Sequence, residues 1–403
     1  MAIVITGVGV KSPLGCSFEE CMKTLKAGTR CVSEIENFDT TGFTQKAAGE
    51  VRLNGRVIKT PKEIDRKAYF LNKCVQDLKE RTRATERFSP AEIVFNTGGG
   101  VDYVDIDTYY RTRQFTLPAG SKLSSHYKSK ALTEEIALKN GFLGGVNIFM
   151  ASCAASSQAI GTSFRMVRSG FRKAAVTGGS DSMINYINYI GFQQLGAMSS
   201  CTNAPYACKP FDRRRDGTVL GEGSIVYFIE DSNTAIREEI LAEIVGYAST
   251  MDAYAVTDPD PEGRSLAEAI SMAINDAGIN QDIVDCVHLH GTGTPKNAPA
   301  EYSALKLVFG ERAGTIPVYS MKGQIGHLIG SCGAMEILGA IYSLQKQVVL
   351  PTINFEEQDP SAPLNVIRNY PLNMKIEYLL KTNSSFGGEN TAIILKRYNL
   401  GNG

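Results

Sequence analysis

Residues 145–170 read GVNIFMASCAASSQAIGTSFRMVRSG. The apolar run GVNIFMASC predicts a strand that stops at Cys153. Small residues follow, then helical spacing, and Gly170 suits the C-terminal stop. The same order returns at 316–347, IPVYSMKGQIGHLIGSCGAMEILGAIYSLQKQ, as strand, loop and long small-residue helix. Around the first copy, AIVITGVGV (2–10) reads as a buried strand, Thr60–Glu80 as a helix, and AEIVFNTGGG (91–100) as a strand ending in a glycine loop. RKAAVTGGSDS (172–182) and GSIVYFIED (223–231) read as two more strands. Around the second copy come the strand LAEIVGYAST (241–250), the helix RSLAEAISMAINDAGI (264–279) and the strand VDCVHLHGTGT (284–294), which resembles AEIVFNTGGG. IEYLLKTNSSFGGENTAIILKR (376–397) closes as a hairpin-like pair, as the first copy did. The chain is therefore read as α/β, an internal duplication of βαβαβαββ halves spanning 1–240 and 241–403. Buried strands alternating with helices imply mostly parallel sheet under helical cover. No low-complexity linker separates the halves, so they are expected to pack as one body. The polar, aromatic stretch Asp102–Leu132 reads as an insertion or loop.

The bulk numbers exclude several classes. The 403 residues carry 42 basic and 42 acidic side chains, so no overall field argues for nucleic acid or an anionic membrane. Nine cysteines without a regular framework argue against a disulfide-stapled fold. None has C-x-x-C spacing, and no Cys/His group has zinc-ligand spacing, so no metal is expected. The opening MAIVITGVGVKSPLG lacks a basic n-region, and no apolar run reaches about 18 residues. A reducing, cytoplasmic compartment is expected.

Cys153 stands where a strand ends and a helix begins. A helix N-terminus offers partial positive charge and free N–H groups, which favour the nucleophilic thiolate. Most free cysteines are simply buried small residues, and position alone leaves Cys153 between the two readings. The chain has four histidines. His290, in HGTGT, and His327, in KGQIGH, lie at strand ends beside glycines, which let backbone and substrate approach closely. Their places in a duplicated chain read as equivalent. His288 reads as structural, and His126 receives no role.

Cys153 in MASCAASSQAIG, CKPFDRRRDGTVLGEGS at 208–224, HGTGT at 290–294, KGQIGH at 322–327 and SFGGEN at 385–390 together resemble the β-ketoacyl-acyl-carrier-protein synthases. The likeness runs nearly end to end, in order. The Cys-His-His set is similar to the elongating synthases. Initiating synthases offer His and Asn, and thiolases offer a second cysteine.

The resemblance implies a thiolase-type fold, two duplicated halves in a five-layer αβαβα arrangement, as a homodimer or as a heterodimer with a related subunit. It implies an acyltransferase without a cofactor that performs decarboxylative condensation of an acyl chain with a malonyl-acyl-carrier-protein thioester, in fatty-acid or type II polyketide-like biosynthesis. Cys153 would hold the acyl chain. The N–H groups of Cys153 and gating Phe386 would form the oxyanion hole. His290 and His327 would donate to the developing enolate. Lys322 would pair with Glu336 and orient His327. Thr257, Thr292 and Thr294 would contact the pantetheine arm, or merely cap loops. Gly99 would line the far end of the acyl pocket and admit long or rigid chains. Lys62, Arg66 and Lys67, or Arg213–Arg215, are candidates to receive an acidic carrier protein, although basic residues are ordinary on a solvated face.

Two departures stand out. Ser385 replaces a glycine of the family's FGFGG loop, which restricts backbone angles there. Asn297 is followed by Ala298 where an Asp is common, so a local carboxylate is missing. The alternatives are a non-catalytic chain-length partner of the same fold, which typically lacks the cysteine, and a thiolase acting on 3-ketoacyl-CoA. The last cysteine, Cys332, lies in the helix after His327, away from the C-terminal loop where a thiolase needs it.

Overall fold

The computed structural model describes residues 2–60, 65–99 and 125–399. Sixteen of the described elements form the repeated core of the two halves. The first contains β1 (Ile3–Lys11), α1 (Arg66–Arg81), β2 (Ile93–Gly99), α2 (Ser125–Lys139), β3 (Val146–Phe149), α3 (Ala155–Arg168), β4 (Ala174–Ser182) and β5 (Leu220–Asp231). The second contains β6 (Ala242–Met251), α4 (Arg264–Asp276), β7 (Cys286–His288), α5 (Asn297–Phe309), β8 (Pro317–Tyr319), α6 (Cys332–Lys346), β9 (Tyr378–Ser384) and β10 (Glu389–Lys396). Both follow βαβαβαββ.

Strand order repeats as well. From the centre outward, one half runs β1-β5-β4-β2-β3 and the other β6-β10-β9-β7-β8. In each, the first two pairings are antiparallel and the outer two parallel. The halves join where β1 pairs antiparallel with β6, with Ile3 opposite Ile244 and Ile5 opposite Ala242. Helices α1 and α2 cover one half-sheet and α4 and α5 the other, while α3 and α6 touch each other and strands of both halves. This is the five-layer αβαβα thiolase-type fold.

The sequence explains which helices go inside. In α4 the buried residues form one stripe, Leu266, Ala267, Ala269, Ile270, Ala273 and Ile274, as expected for a helix with one solvated face. In α6 every residue from Cys332 to Leu344 is buried, as expected for a helix sandwiched between sheets. Its small residues allow close approach: a Cβ on Gly333 would stand 2.2 Å from Ser157 Oγ of α3.

Four sequence readings need adjustment. The sheet expected to be mostly parallel is mixed, because the strands nearest the centre pair antiparallel and only the outer ones parallel. The helix expected over Thr60–Glu80 begins at Arg66, capped by Asp65, whose side chain accepts from Ala68 N–H. The loop expected over Asp102–Leu132 ends in helix α2 from Ser125 onward, the stretch before it lying outside the described residues. Its apolar positions have no helical period, and i,i+4 pairs such as Lys130–Glu134 support it instead. Helix α5 was not read from the sequence at all. Among the described residues, no helix is long and apolar enough to cross a membrane.

Candidate active site

The two central helices begin alike. Each follows a short 3-10 turn, Ser152–Ala154 before α3 and Ile329–Ser331 before α6. Each turn opens with a non-glycine residue at positive φ, Ser152 at 45° and Ile329 at 46°. Such backbone strain costs roughly 1–3 kcal/mol and persists only where surrounding structure imposes it. Cys153 and Gly330 are therefore counterparts. His327 lies on the loop before α6, the counterpart of Cys153's own loop, and His290 follows β7. The histidines thus occupy successive loops of one half, and the equivalence expected between them does not hold.

Packing the central helices together brings these loops face to face. Cys153 Sγ lies 3.0 Å from His327 Nε2, and the rings of His290 and His327 meet at 5.2 Å, nearly perpendicular. All three side chains line a cavity of about 60 Å³ with Phe192, Thr257, Thr292, Thr294, Asn297 and Phe386. Six of the residues predicted from sequence thus converge with Cys153. Among the described residues, the Phe386 N–H meets no acceptor, and the Cys153 N–H meets none but its own sulfur. The rings of Phe386 and Phe192 stack at 6.3 Å.

The groups that meet Nδ1 of both imidazoles are donors, which favours a hydrogen on Nε2. Ile329 N–H donates to His327 Nδ1 at 3.2 Å. Lys322 Nζ and Asn383 Nδ2 approach His290 Nδ1 at 3.2 and 3.0 Å. A neutral ring that accepts at Nδ1 has its hydrogen on Nε2. Burial, then the Lys322 ammonium, hold both histidines well below the usual imidazole range. Cys153, His290 and His327 offer atoms within 4.8 Å of one another, a spacing that could hold a metal. With hydrogens on both Nε2 atoms, a metal would have to displace them to bind there.

Lys322 and Glu336 form the buried pair expected, with Lys322 Nζ also donating to His290 O at 2.5 Å. Glu336 is wedged among donors: Lys322, Lys381 Nζ at 3.1 Å and Asn383 Nδ2 at 2.7 Å. Burial would raise its pKa, but the two ammoniums outweigh burial and bring it down to about 2. Lys322 bonds His290, so the orientation of His327 expected from Lys322 falls instead to Ile329 N–H. Lys381 and Asn383 escaped the sequence reading, although polar residues two apart in the buried strand LLKTNSS were a visible signal. His288 is structural as expected, stacked 4.2 Å from Tyr319.

The thiol departs from expectation. Burial pushes Cys153 up to about 12, against the opposing pull of Lys322. Desolvation of a buried anion outweighs the helix terminus, so the resting side chain is a thiol. The carboxylate missing at Ala298 is covered by Glu301, whose oxygens take His290 N–H at 2.6 Å and Gly291 N–H at 3.0 Å, and by Asn297 Oδ1, which takes Thr292 N–H at 3.0 Å. Gly99 does not line the Cys153 cavity. It lines a second one of about 40 Å³ with Asp65, Leu71, Ile148 and Ser180, and among the described residues the two linings share no member.

The basic candidates also shift. Lys62 lies outside the described residues. Arg66 and Lys67 are buried, with Arg66 paired to Glu222. Arg215 is buried on Asp359, Arg213 pairs with Glu357, and Arg214 with Asp212 and Glu356. These arginines tie the chain to itself.

A thiolase-type double fold with a cysteine at one central helix and two inward-donating imidazoles opposite it defines a condensing enzyme of the acyltransferase type. Residues 1–235 match "Beta-ketoacyl synthase, N-terminal domain" and residues 241–356 match "Beta-ketoacyl synthase, C-terminal domain", and the chain belongs to the β-ketoacyl synthase family. It is 31% identical to a 3-oxoacyl-[acyl-carrier-protein] synthase 2 of Synechocystis, covering 98% of each chain. It is 30% identical to the tetracenomycin polyketide synthase ketoacyl synthase alpha subunit of Streptomyces glaucescens, covering 98% of this chain and 97% of that one. Among solved structures, it resembles a type II polyketide synthase ketosynthase in complex with its acyl-carrier protein, at a TM-score of 0.87 with 28% identity and 99% of each chain covered. The ishigamide ketosynthase/chain length factor gives 0.85 with 27% identity over 99% of each chain.

Proposed function

We propose that this chain condenses a Cys153-bound acyl group with a malonyl-acyl-carrier-protein thioester, in fatty-acid or type II polyketide-like biosynthesis. The observation that carries the reading is the Cys153 Sγ–His327 Nε2 approach at 3.0 Å, with His290 in the same cavity. On this reading the 1–240 half supplies the nucleophile and the 241–403 half supplies both imidazoles.

Cys153 Sγ attacks the acyl thioester carbonyl. The oxyanion takes the N–H groups of Cys153 and Phe386, which no other described residue engages. The carrier thiol departs with the proton that Cys153 gives up, so a high resting pKa does not block exchange. The malonyl thioester then enters past Thr257, Thr292 and Thr294. His290 and His327 donate Nε2–H to its carbonyl oxygen. The bond to the carboxylate breaks, carbon dioxide leaves, and the electron pair is held as the enolate. Its carbon attacks the acyl group, the bond to Cys153 Sγ breaks, the sulfur takes a proton from solvent to restore the thiol, and the 3-oxoacyl thioester leaves. Lys322 and Glu336 hold the positive field behind His290. Covalent capture splits one difficult condensation into two easier steps.

The same reading makes the chain a cytoplasmic enzyme working as a dimer, with itself or with a related subunit. Gly99 floors a cavity behind the Ile329–Gly330 turn: a Cβ on Gly330 would stand 3.0 Å from Gly99 Cα. An acyl chain on Cys153 reaches Gly99 only if that turn gives way, and long chains load well if it does. Slower loading of octanoyl than acetyl would remove Gly99 from the acyl path. A thiolase reading is disfavoured, because Cys332 Sγ donates to Cys153 O at 3.1 Å and does not line the cavity.

Intact-protein mass spectrometry with acyl-carrier thioesters tests the proposal. An acyl adduct is expected on the wild type and not on Cys153→Ala, and malonyl carrier should discharge it. An adduct that persists in Cys153→Ala would overturn the mechanism.

A further inference from the structure

Asn383 stands behind His290, and its amide could be placed either way round. Its surroundings fix it. Nδ2 has two hydrogens, and its two near acceptors are Glu336 Oε2 at 2.7 Å and His290 Nδ1 at 3.0 Å, with the weaker Cys332 Sγ farther off at 3.7 Å. Oδ1 faces Ser157 Oγ at 2.6 Å. Ser157 must donate to Oδ1, because its own oxygen receives Lys381 Nζ at 2.9 Å. Reversing the amide would set Oδ1 against a carboxylate and leave buried acceptors facing one another. The bonds along this path therefore all run one way, from Lys381 to Ser157 to Asn383 to His290, while Lys381 and Asn383 each also donate to Glu336. Lys381, Ser157 and Asn383 are each fully buried, and none lines the Cys153 cavity.

A second observation shows that space is kept for this chain. A Cβ at Gly333 would fall 2.2 Å from Ser157 Oγ and 2.9 Å from Asn383 Oδ1, across the hydrogen bond between them. The bond also crosses the molecule, since Ser157 belongs to α3 and Asn383 to β9.

We propose that Lys381, Ser157 and Asn383 form a one-way hydrogen-bond chain that holds His290 with its proton on Nε2, facing Cys153. They are positioning residues. The proposal rests on the reading that His290 donates to the malonyl thioester oxygen. Lys322 alone also reaches Nδ1, but it is shared with His290 O and Glu336. Asn383 supplies a second donor with a fixed direction.

With four histidines in the sequence, ¹⁵N-histidine NMR can resolve the tautomers, with His290→Gln assigning the signal. Wild-type His290 is expected as the Nε2–H form. In Asn383→Leu an Nδ1–H population should appear. Malonyl decarboxylation should fall about 10- to 100-fold while loading of Cys153 stays within about threefold, the size of loss typical for groups that orient a reacting residue. Ser157→Ala should move both readouts the same way by less. The chain is refuted if wild-type His290 is the Nδ1–H form or imidazolium, a result that needs no variant to fold. It is equally refuted if both variants keep wild-type tautomer and decarboxylation. A wild type that shows the Nε2–H form yet decarboxylates no malonyl thioester supports the chain and counts against the proposed function.

Discussion

Residues 146–168 and 317–346 repeat the same strand, turn and central helix, down to a strained residue at φ 45° in one and 46° in the other. What fills the repeated frame differs. The first turn places a cysteine after the strained residue and the second a glycine, Gly330. The second loop instead presents His327 two residues before its strained Ile329. Face-to-face packing then sets the thiol of one copy against the imidazole of the other. The repeat supplies two aligned helix starts, and a few differing residues set a thiol at one and an imidazole beside the other.

Substitutions at the paired positions should separate these roles. Cys153→Ala removes only a sulfur from a small-residue site, so unfolding by urea should change little. Condensation should fall by at least about 10⁴-fold, the scale seen when a nucleophile is removed. A Cys153→Ala enzyme retaining more than a hundredth of wild-type activity would deny the first copy its role. His327→Ala should lower malonyl decarboxylation about 10²- to 10³-fold, as for loss of one preorganised donor. Single-turnover measurement should show acyl loading less affected, because on the proposed mechanism loading uses the N–H groups of Cys153 and Phe386.

Gly330→Ala makes the second turn resemble the first, with the opposite signature. Its Cβ would stand 2.8 Å from Asp181 Oδ2 and 3.0 Å from the Gly99 backbone. Overpacking of this kind costs about 1–3 kcal/mol, read as a lower urea midpoint. An unchanged midpoint would mean that the turn can shift freely.

The duplication was legible because buried strands and small-residue helices leave a strong pattern. Cys153, His290 and His327 were legible because nucleophile and imidazole types at strand ends are few. Helix α2 was obscured by its lack of apolar period, and the site's second layer was less visible still. Lys381 and Asn383 acquire meaning only when α3 and β9 pack, which no local window contains. The thiol departs from the local reading for a related reason: the helix terminus is local, while the burial that raises its pKa comes from packing around it. Arg66 and Lys67 looked like surface charge until the fold buried them.

The imidazoles offer a pH test of that burial. Their lowered pKa values keep His290 and His327 uncharged below the usual imidazole value of 6.5. The condensation rate should therefore show no acid limb centred near 6.5. The unfolded chain does take up protons there, so these groups lower folding stability as pH falls below 6.5, by up to about 1.4 kcal/mol per histidine and pH unit. An acid limb near 6.5 that disappears in His327→Asn would show that the site is wetter than its packing implies.

The smallest effect belongs to the loops that close each half. The β4–β5 connection is long and carries Phe192, whereas β9–β10 turns through Ser385–Gly388 and carries Phe386; the two rings stack over the cavity. The short loop is held at several points, with Ser385 N–H on Glu389 O at 2.8 Å, Gly388 N–H on Ser385 O at 3.0 Å and Gly387 N–H on Val256 O at 2.7 Å. Ser385 Oγ adds bonds to Phe386 O at 3.2 Å and Glu389 O at 3.3 Å. Ser385→Gly deletes those bonds and frees the backbone, which should cost less than about 1 kcal/mol of stability. Phe386 should then swing more readily, raising loading of bulky acyl donors more than of acetyl donors. Equal acceleration of both, or none, in the mass-spectrometric loading assay would locate the restraint in the backbone bonds that Ser385→Gly leaves intact.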